Sequence, residues 1–384
     1  MREILLDLTR LLSRTLQGRL PTGIDRVNLE YLRHFRDRSR ALIRYRGRCI
    51  TPGPADSQII FDALLEPDRR SELKVRWCIG KNYFTRWHDD NHSNVLLNIS
   101  HSGLDTPVYP AFVRRHDLRP IYFLHDLIPI THPEYNRPGE ADKHRKRLTT
   151  MLTLSRGIIV NSTATGSALV AYAEQENMQL PPWIVAPLAP SRLSPPSATR
   201  PMAAPYFVVL GTIEPRKNHL LLLHIWRQLV TDYGAAAPHL VIIGQRGWEC
   251  EQIVDMLERC TALTGHVMEL PKCGDQELAT WLHHARALLF PSFVEGFGIP
   301  LVEALMLKAP VLTSDLPVLR ETGGSIPEYL DPLDGRAWRD AILDYARPDS
   351  AARRAQCQRM DGYKPPIWED HFKQVEVLME QCLQ

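Results

Sequence analysis

Two carboxylates stand close together in the stretch FPSFVEGFGIPLVEAL, where Glu295 and Glu303 flank a bend rich in glycine and proline. Gly296 and Gly298 allow the backbone to approach a bound group closely, because glycine has no side chain to obstruct it. Pro300 suits the start of a helix, and the free N–H groups at a helix start attract phosphate. Glu303 in the first turn and Glu295 before it are placed to accept hydrogen bonds from ribose and sugar hydroxyls. The pattern indicates a site for a phosphorylated sugar; the structural alternative is that Glu303 favours the helix dipole and Glu295 decorates a loop.

A pair of adjacent cations, Arg216 and Lys217, lies between a predicted strand and a predicted helix in the stretch VVLGTIEPRKNHLLLL. Two cations at a helix start can neutralise a pyrophosphate and stabilise it as a leaving group; the structural alternative is two surface cations beside a turn. The sequence contains no Asp-x-Asp, no His-Glu-x-x-His, no P-loop and no Gly-x-Ser-x-Gly. We therefore expect the two cations and a helix terminus to neutralise phosphate, with no metal and no other cofactor.

These motifs resemble a known family. The string E-G-F-G-x-P-x-x-E-A-L resembles the E-x7-E signature of retaining glycosyltransferases of family 4, which have the GT-B fold. VVLGTIEPRKNHLLLL resembles that family's strand, loop and helix for the donor diphosphate. LPKCGDQEL resembles its base-binding turn, which implies that the backbone at Lys272 and Cys273 contacts the nucleobase. The donor-binding residues that the resemblance implies are Gly211, Arg216, Lys217, Lys272, Cys273, Glu295, Gly296, Phe297, Gly298 and Glu303.

The first half of the chain extends the resemblance. IYFLHDLIPITHPEY is similar to the histidine-bearing strand end of this family, especially in bacterial branches assigned to mannose or related sugars. It implies that His125 hydrogen-bonds the donor sugar near the reacting carbon and that its carbonyl stabilises an oxocarbenium-like centre. LPTGIDRVNLEYL resembles the family's first loop, with one glycine where two adjacent glycines are common. The implied catalytic residues are His125, Glu295, Arg216 and Lys217; those on the acceptor side are Gly23, Arg26, His101, Ser102 and Asp126, of which Asp126 orients its loop.

The elements that must position these residues follow from the hydrophobic pattern. Short apolar runs alternate with amphipathic stretches, which is typical of α/β proteins with parallel sheets. Such sheets bind ligands at the carboxyl ends of their strands. Strands are predicted at 3–8, 57–62, 94–99, 120–125, 157–161, 206–211, 239–244, 287–291 and 310–313. Helices are predicted at 24–36, 139–155, 163–175, 218–232, 249–259, 275–286 and 300–308, with Ser162 and Thr163 as caps of the third.

A proline-rich stretch at 180–205 separates two α/β halves and predicts an interdomain connector. A length of 384 residues agrees with two domains. We predict the α/β GT-B architecture, in which two Rossmann-like domains face each other across a cleft that holds the site. The predicted parts are an acceptor-side domain at 1–195, a nucleotide-sugar-binding domain at 196–363, and a helix at 364–384 that closes back on the N-terminal domain.

The charge of the chain is distributed unevenly. Residues 1–200 hold 29 Lys+Arg and 20 Asp+Glu, a net charge of +9, and the remainder holds 17 and 24, a net charge of −7. The densest basic stretch, LRHFRDRSRALIRYRGR at 32–48, contains seven arginines. A solvated surface is one interpretation. No nucleic-acid-binding module is recognisable, so we favour an anionic membrane surface, which fits a lipid-linked substrate.

Seven cysteines are scattered along the chain without a C-x-x-C pair, which favours a reducing compartment over a disulfide framework or a zinc ribbon. No apolar run reaches the roughly 18 residues of a membrane span, and the N-terminal residues lack the apolar core of a signal peptide. We expect a cytoplasmic location, with a peripheral position on the inner face of the cytoplasmic membrane as its variant.

The functional hypothesis is a metal-independent, retaining glycosyltransferase that moves a hexose from a nucleoside diphosphate sugar to a hydroxyl. The preferred donor is GDP-mannose, because of the HDLIP and HPEY resemblance, and UDP-glucose, UDP-galactose and dTDP-rhamnose are the alternatives. The acceptor is a bacterial surface glycan or its polyprenyl-diphosphate-linked precursor. The rivals are an epimerase or phosphorylase of the same fold, and a non-catalytic sugar-nucleotide-binding protein that docks on a membrane. No role with nucleic acid is expected.

Overall fold

The computed structural model describes residues 3–66, 68–83 and 94–383. Within these residues the chain forms two compact units. Unit 1 takes in the chain up to Ile130, residues 141–188 and the chain from Trp368 onward, and unit 2 takes in residues 131–140 and 189–367. The short segment 131–140 therefore belongs to unit 2, although both of its flanks belong to unit 1.

Each unit is built on one sheet. The strands of unit 1 are β1 (Ile4–Asp7), β2 (Ser39–Tyr45), β3 (Arg48–Ile50), β4 (Val95–Asn98), β5 (Arg119–Leu124), β6 (Gly157–Val160) and β7 (Trp183–Val185). The strands of unit 2 are β8 (Tyr206–Leu210), β9 (His239–Ile243), β10 (Val267–Leu270), β11 (Leu288–Phe290), β12 (Val311–Ser314) and β13 (Glu328–Leu330).

Helices surround both sheets. Those before β8 are α1 (Thr9–Thr15), α2 (Gly23–Phe35), α3 (Pro54–Leu65), α4 (Arg69–Tyr83), α5 (Val108–Arg115), α6 (Ile128–Thr131), α7 (Glu140–Leu154) and α8 (Thr163–Gln175). Those of unit 2 are α9 (His219–Tyr233), α10 (Glu251–Arg259), α11 (Asp275–His284), α12 (Ile299–Met306), α13 (Pro317–Gly323), α14 (Gly335–Ala346) and α15 (Ala351–Met360). The last helix, α16 (Trp368–Leu383), packs against β5, β6 and β7 of unit 1, which confirms the predicted closing helix.

The sheet of unit 2 is parallel throughout, in the order β10-β9-β8-β11-β12-β13. Counted from β8 as the first strand, this is the order 3-2-1-4-5-6 of dinucleotide-binding sheets. The winding reverses between β8 and β11, and the carboxyl ends of these two strands frame the crevice where such sheets bind ligands.

The sheet of unit 1 has the order β3-β2-β1-β4-β5-β6-β7. Its pairs are parallel except for the antiparallel hairpin of β2 and β3. The winding reverses here between β1 and β4. Strands such as β5 and β6 are buried along almost their whole length, which explains their near-continuous apolar sequences.

Local signals set the helix starts that face these edges. The Ser162 hydroxyl accepts a hydrogen bond from the backbone N–H of Thr165 at 3.1 Å, so the predicted cap of α8 is Ser162. At α2, the Thr22 backbone N–H donates to the Asp25 carboxylate at 2.8 Å in a capping box.

Several regions differ from the predicted elements. Residues 57–62 (SQIIFD) lie in helix α3 and form no strand, because Ser57, Ile60, Phe61 and Leu64 recur at helical spacing on its buried face. Residues 183–185, inside the predicted connector, form β7 at the sheet edge.

The arginine-rich stretch contains a strand as well. Its part SRALIRY is β2, which pairs with β1 inside the sheet of unit 1. Ala41, Leu42 and Ile43 are buried there. We did not predict this strand, because the arginines around its three apolar residues made the stretch look like an exposed charged surface.

Among the described residues, no helix combines the length and the apolar character needed to cross a bilayer.

Candidate functional site

An ionic cluster occupies the winding reversal of unit 2. The chain leaves β8 through Gly211 and reaches Arg216 and Lys217 just before α9, and it leaves β11 toward Glu295. The Arg216 Nη1 atom lies 2.8 Å from Glu295 Oε2, and Lys217 Nζ lies 2.5 Å from Glu295 Oε1. Three residues that the sequence assigned to one site therefore meet there.

A fourth charged group completes the cluster. Glu214 is 2% exposed, and its Oε1 atom lies 2.6 Å from Arg216 Nε. Arg216 is thus held from both sides, by Glu214 through Nε and by Glu295 through Nη1. The sequence signal for Glu214 was its place two residues before Arg216 in the stretch EPRKN, and our site prediction omitted it.

Burial and charge act in opposite directions on the ionisable groups of the cluster. Burial alone would raise the pKa of Glu295, but Arg216 and Lys217 outweigh it and lower that pKa to about 2. Burial, with the charge of Arg216, lowers the pKa of Lys217 below its usual value, against the pull of Glu295 and Glu214. Burial raises the pKa of Glu214 against the opposing effect of Arg216 and Lys217. Glu295 is therefore ionised throughout the physiological range.

Backbone contacts fix the loop that carries Glu295. The backbone N–H of Phe293 donates to the Arg216 carbonyl at 2.9 Å, and Arg216 Nη1 donates to the Val294 carbonyl at 3.2 Å. After the loop, Gly298 adopts a left-handed conformation with φ of 97°, and a Cβ atom there would lie 2.7 Å from Leu319 Cδ2. Both observations explain the need for glycine at the turn into α12.

The segment 131–140 supports the same loop within unit 2. The Tyr135 ring stacks on the Phe293 ring with centroids 5.5 Å apart and planes 4° apart. Trp248 Nε1 donates to the Tyr135 carbonyl at 3.1 Å, and the His132 ring stacks on Tyr135 at 6.1 Å. The HPEY motif, used in the sequence only as a sign of donor type, is thus a support for the Glu295 loop.

The other donor-side predictions lie around this cluster. Glu303 is 3% exposed and is the fifth residue of α12, just past the predicted first turn, because the helix begins at Ile299 and not at Pro300. The side chain of Phe297 is buried and the loop residue Gly296 is half-buried. Lys272 is exposed and Cys273 is half-buried in the turn before α11. Burial is the main reason that the pKa of the Cys273 thiol rises to about 12, and the negative charge of Glu277 adds to it.

The carboxyl edge of unit 1 brings His125 and His101 together, with ring centroids 5.2 Å apart. The His125 Nε2 atom lies 2.7 Å from the Ile99 carbonyl, and His101 Nε2 lies 2.6 Å from the Phe123 carbonyl. Both rings are buried. Burial lowers the pKa of His125 to about 4 and lowers that of His101 well below its usual value, so both are neutral at pH 7.

The carbonyl of His125 has a partner in unit 1. It accepts a hydrogen bond from Asn161 Nδ2 at 2.9 Å. This hydrogen bond occupies one lone pair of the carbonyl oxygen, and Thr165 Oγ1 lies 3.5 Å from the same oxygen, so the contact with a reacting sugar stays a prediction. Asp126 accepts from the backbone N–H of Ile128 at 3.0 Å and so orients the turn into α6.

The remaining acceptor-side residues lie on neighbouring loops of unit 1. Gly23 is the first residue of α2 and is exposed, and Arg26 and Ser102 are half-buried. The sequence reading omitted Asp25, a fully buried carboxylate that contacts Arg14 Nε at 2.8 Å and Arg10 Nε at 3.2 Å. Its position three residues after Thr22, as in a capping box, was the available signal.

Known proteins are similar in sequence to the part of the chain that holds this cluster. Residues 204–347, which include the cluster, match the family described as glycosyl transferases group 1. This match lies within unit 2. The O-antigen chain mannosyltransferase B of Escherichia coli is 29% identical over 269 residues, 68% of this chain and 70% of that protein. The serotype-specific mannosyltransferase WbdA of Escherichia coli is 29% identical over 220 residues, 52% of this chain, and the match covers 26% of WbdA, about a quarter of its length.

A solved structure extends the likeness to the whole fold. Anabaena HepE, in complex with UDP and glucose, has a TM-score of 0.65 and 14% sequence identity, covering 99% of this chain and 100% of that chain. This likeness shows the GT-B fold.

Unit 2 therefore contains a cluster whose chemistry suits an anion. Two cations lie beside an ionised carboxylate at the strand ends where nucleotides bind. Each oxygen of Glu295 has a second lone pair, so it can accept a hydrogen bond from a hydroxyl while it contacts a cation. Among the described residues, no group of three or more His, Cys, Asp or Glu side chains is arranged to hold a metal ion.

Proposed function

We propose that this protein is a retaining, metal-independent glycosyltransferase that moves a hexose from a nucleoside diphosphate sugar to a hydroxyl of a bacterial surface glycan or its lipid-linked precursor. The observation that carries the proposal is the cluster of Arg216, Lys217 and Glu295 at the winding reversal of unit 2. The names of the mannosyltransferase relatives support the reaction class and the O-antigen acceptor.

Donor binding exchanges charged partners in this proposal. The diphosphate takes the contacts that Arg216 Nη1 and Lys217 Nζ make with Glu295 in this structure. Glu295 turns toward the sugar hydroxyls and stays ionised, because its pKa of about 2 leaves a wide margin. Glu303 accepts hydrogen bonds from the ribose hydroxyls, and the backbone at Lys272 and Cys273 contacts the base.

The proposed chemical step needs no protein nucleophile. The bond between the anomeric carbon and the phosphate oxygen breaks as the acceptor oxygen bonds to the same face of that carbon. The acceptor hydroxyl gives its proton to the departing phosphate oxygen. The leaving diphosphate is therefore the base of the reaction. Arg216 and Lys217 stabilise the negative charge that grows on the diphosphate, which is the usual contribution of fixed cations at a leaving group. His125 positions the sugar as a neutral hydrogen-bonding group.

GDP-mannose is the proposed donor, supported by the mannosyltransferase names of the relatives. UDP-glucose, UDP-galactose and dTDP-rhamnose are the alternatives, and HepE is a relative in fold with UDP and glucose bound. Association with the inner face of the cytoplasmic membrane is part of the proposal, because a lipid-linked acceptor is held there.

A thermal-shift panel of nucleotide sugars, followed by a transfer assay with the stabilising donor, tests the proposal. We expect GDP-mannose to raise the melting temperature and to yield a glycosylated product with retained anomeric configuration. Isomerised donor would favour an epimerase, and phosphate-dependent release of sugar phosphate would favour a phosphorylase. Stabilisation without turnover on any acceptor would favour the non-catalytic binding protein. An inverted product would exclude the proposed same-face step.

A further inference from the structure

One face of helix α4 exposes apolar side chains to solvent. Leu73 and Trp77 lie one turn apart, and they are 71% and 62% exposed. The opposite face of the helix, with Val75, Cys78 and Ile79, is buried in unit 1. Among the described residues, the helix therefore has its core contact on one side and solvent-exposed apolar side chains on the other.

The hairpin of β2 and β3 extends this stripe with aromatic rings and cations. Tyr45 is 42% exposed, and its ring meets the Tyr83 ring edge to face at 6.1 Å. Arg46 lies over Tyr45 at 5.4 Å and Arg48 lies over Tyr83 at 5.1 Å. Contacts between α4 and β3 join the hairpin to the helix in one surface.

The cations of this surface outnumber its acids. Arg46, Arg48, Lys74 and Lys81 are exposed around the apolar side chains, and Lys81 lies over the Trp77 ring at 5.1 Å. On α4 itself, Glu72 lies 2.8 Å from Arg76, which offsets its charge. Lys81 contacts Asp56 at 3.1 Å, and half of its side chain remains exposed.

The first five arginines of the basic stretch at 32–48 differ from Arg46 and Arg48, because they form ion pairs inside unit 1. Each is held by an acidic partner of unit 1: Arg33 by Glu30, Arg36 by Asp62, Arg38 by Glu376, Arg40 by Glu3 and Arg44 by Asp7. The charge of the stretch is thus largely compensated inside the unit. Its outer end, Arg46 and Arg48, joins the cations of α4.

We propose that the surface formed by Tyr45, Arg46, Leu73, Lys74, Trp77 and Lys81, here called the α4 face, docks on an anionic phospholipid bilayer. Aromatic and leucine side chains favour the boundary between headgroups and acyl chains, and lysine and arginine side chains favour anionic headgroups. Charge complementarity selects the bilayer as occupant, because two copies of the α4 face would place cations against cations. The inference rests on the proposed function in one respect, since a lipid-linked acceptor is what the docked enzyme would meet.

Flotation of the full-length protein with vesicles tests the proposal. We expect binding to vesicles of phosphatidylcholine mixed with phosphatidylglycerol and little binding to phosphatidylcholine alone. The double variant Leu73→Ser, Trp77→Ser removes the apolar contacts, and Arg46→Glu, Lys74→Glu reverses the charge; each should weaken binding about tenfold or more. High salt should weaken vesicle binding by the wild type. The residual binding of the Arg46→Glu, Lys74→Glu variant should depend little on salt.

A matched control removes exposed apolar side chains elsewhere. Leu333 and Tyr233 of unit 2 are 79% and 49% exposed, and Leu333→Ser, Tyr233→Ser should bind vesicles like the wild type. Circular dichroism and the thermal shift by donor show that each variant is folded and that unit 2 is intact. A protein that transfers no sugar can still bind vesicles. The transfer assay and the flotation assay therefore test the proposed function and the docking proposal separately.

Three results would overturn the docking proposal. The first is a wild-type protein that ignores anionic vesicles. The second is a Leu73→Ser, Trp77→Ser variant that binds them as strongly as the wild type. The third is a concentration-dependent dimer in analytical ultracentrifugation that this double variant abolishes, which would assign the face to a second copy of the chain.

Discussion

The two sheets end in different chemistry at their carboxyl edges. In unit 2, one carboxylate contacts two cations at 2.5 and 2.8 Å, and all three groups carry charge. In unit 1, His101 and His125 are buried and neutral, and each ring contacts a backbone carbonyl. The ends of β8 and β11 therefore present charged side chains, and the ends of β4 and β5 present buried, neutral imidazoles.

The difference indicates which part of a substrate each edge suits. A diphosphate needs fixed positive charge, which unit 2 supplies. Hexose and acceptor hydroxyls can donate to a neutral acceptor, and His125 Nδ1 is one because Nε2 of the same ring donates to the Ile99 carbonyl. A charged histidine beside a developing oxocarbenium ion would oppose the proposed reaction, and burial prevents that charge.

The largest expected effect comes from removing a cation of unit 2. Lys217→Met keeps the apolar length of the side chain and removes its charge, and we expect kcat to fall about 10²–10³-fold, as for other lost leaving-group stabilisers. Steady-state transfer kinetics measure this effect. Arg227→Ala, an exposed cation on α9, is the control and should leave kcat unchanged. A Lys217→Met enzyme with normal kcat at saturating donor would remove unit 2 from the phosphate role.

Glu295→Gln separates binding from catalysis in the same cluster. The amide keeps the shape of the side chain but removes the negative charge that contacts both cations, so we expect nucleoside diphosphate to bind at least as tightly while transfer falls about a hundredfold. Calorimetry with GDP and transfer kinetics measure the two quantities. Equal losses in both would mean that Glu295 serves only to orient the cations.

Acid stability should differ between the two edges. The folded pKa of His125 is about 4, below its model-peptide value of about 6.5, so its contribution of about 3 kcal/mol is present above pH 6.5 and is lost as the pH falls toward 4. The folded pKa of Glu295 is about 2, below about 4.5, so its contribution of similar size is present above pH 4.5 and is lost as the pH falls toward 2.

Hydrogen exchange across a pH series should therefore show peptides of β4 and β5 losing protection at higher pH than those of β8 and β11. His125→Asn should reduce this early loss in unit 1, and His224→Asn, at an exposed histidine of unit 2, should not. Simultaneous loss of protection in both units at every pH would contradict the distinction between the edges.

A smaller effect is expected from the stacked support of the Glu295 loop. Tyr135→Ala removes the ring that faces Phe293 at 5.5 Å, and we expect the donor KM to rise about fivefold with a smaller change in kcat. Tyr135→Phe retains the stack and should restore the wild-type KM. Tyr233→Ala, an exposed tyrosine at the end of α9, should change neither constant. A Tyr135→Phe enzyme as impaired as Tyr135→Ala would assign the effect to the hydroxyl instead of the stack.

The smallest expected effect is that of chelation. If Arg216 and Lys217 neutralise the diphosphate alone, transfer after dialysis against EDTA should equal that of the untreated enzyme. A loss that Mg²⁺ or Mn²⁺ restores would show that the cations of unit 2 act together with a metal.

The sequence predicted the parts of the fold that follow periodicity. Parallel strands such as β8 and β11 were recognised because both faces are buried and their sequences are continuously apolar. The strand predicted at 57–62 was wrong because a short apolar run fits a buried helix equally well. Strand β2 was missed because its short apolar run, Ala41 to Ile43, lies between Arg40 and Arg44 in a stretch dominated by charge.

The candidate site was predictable where the chemistry lies in one local motif. Arg216, Lys217 and Glu295 were chosen from two stretches, and the winding of the sheet brings these stretches together. Tyr135 could not be placed, because its partner Phe293 lies far along the chain and stacking leaves no local spacing pattern. The roles assigned to the site residues stay predictions until a donor is bound.

The most direct test is a crystal structure of the protein with its nucleoside diphosphate sugar. The account predicts diphosphate oxygens within hydrogen-bonding distance of Arg216 and Lys217, with the Glu295 carboxylate turned to the sugar hydroxyls. A diphosphate bound elsewhere, with both ion pairs of Glu295 intact, would contradict it.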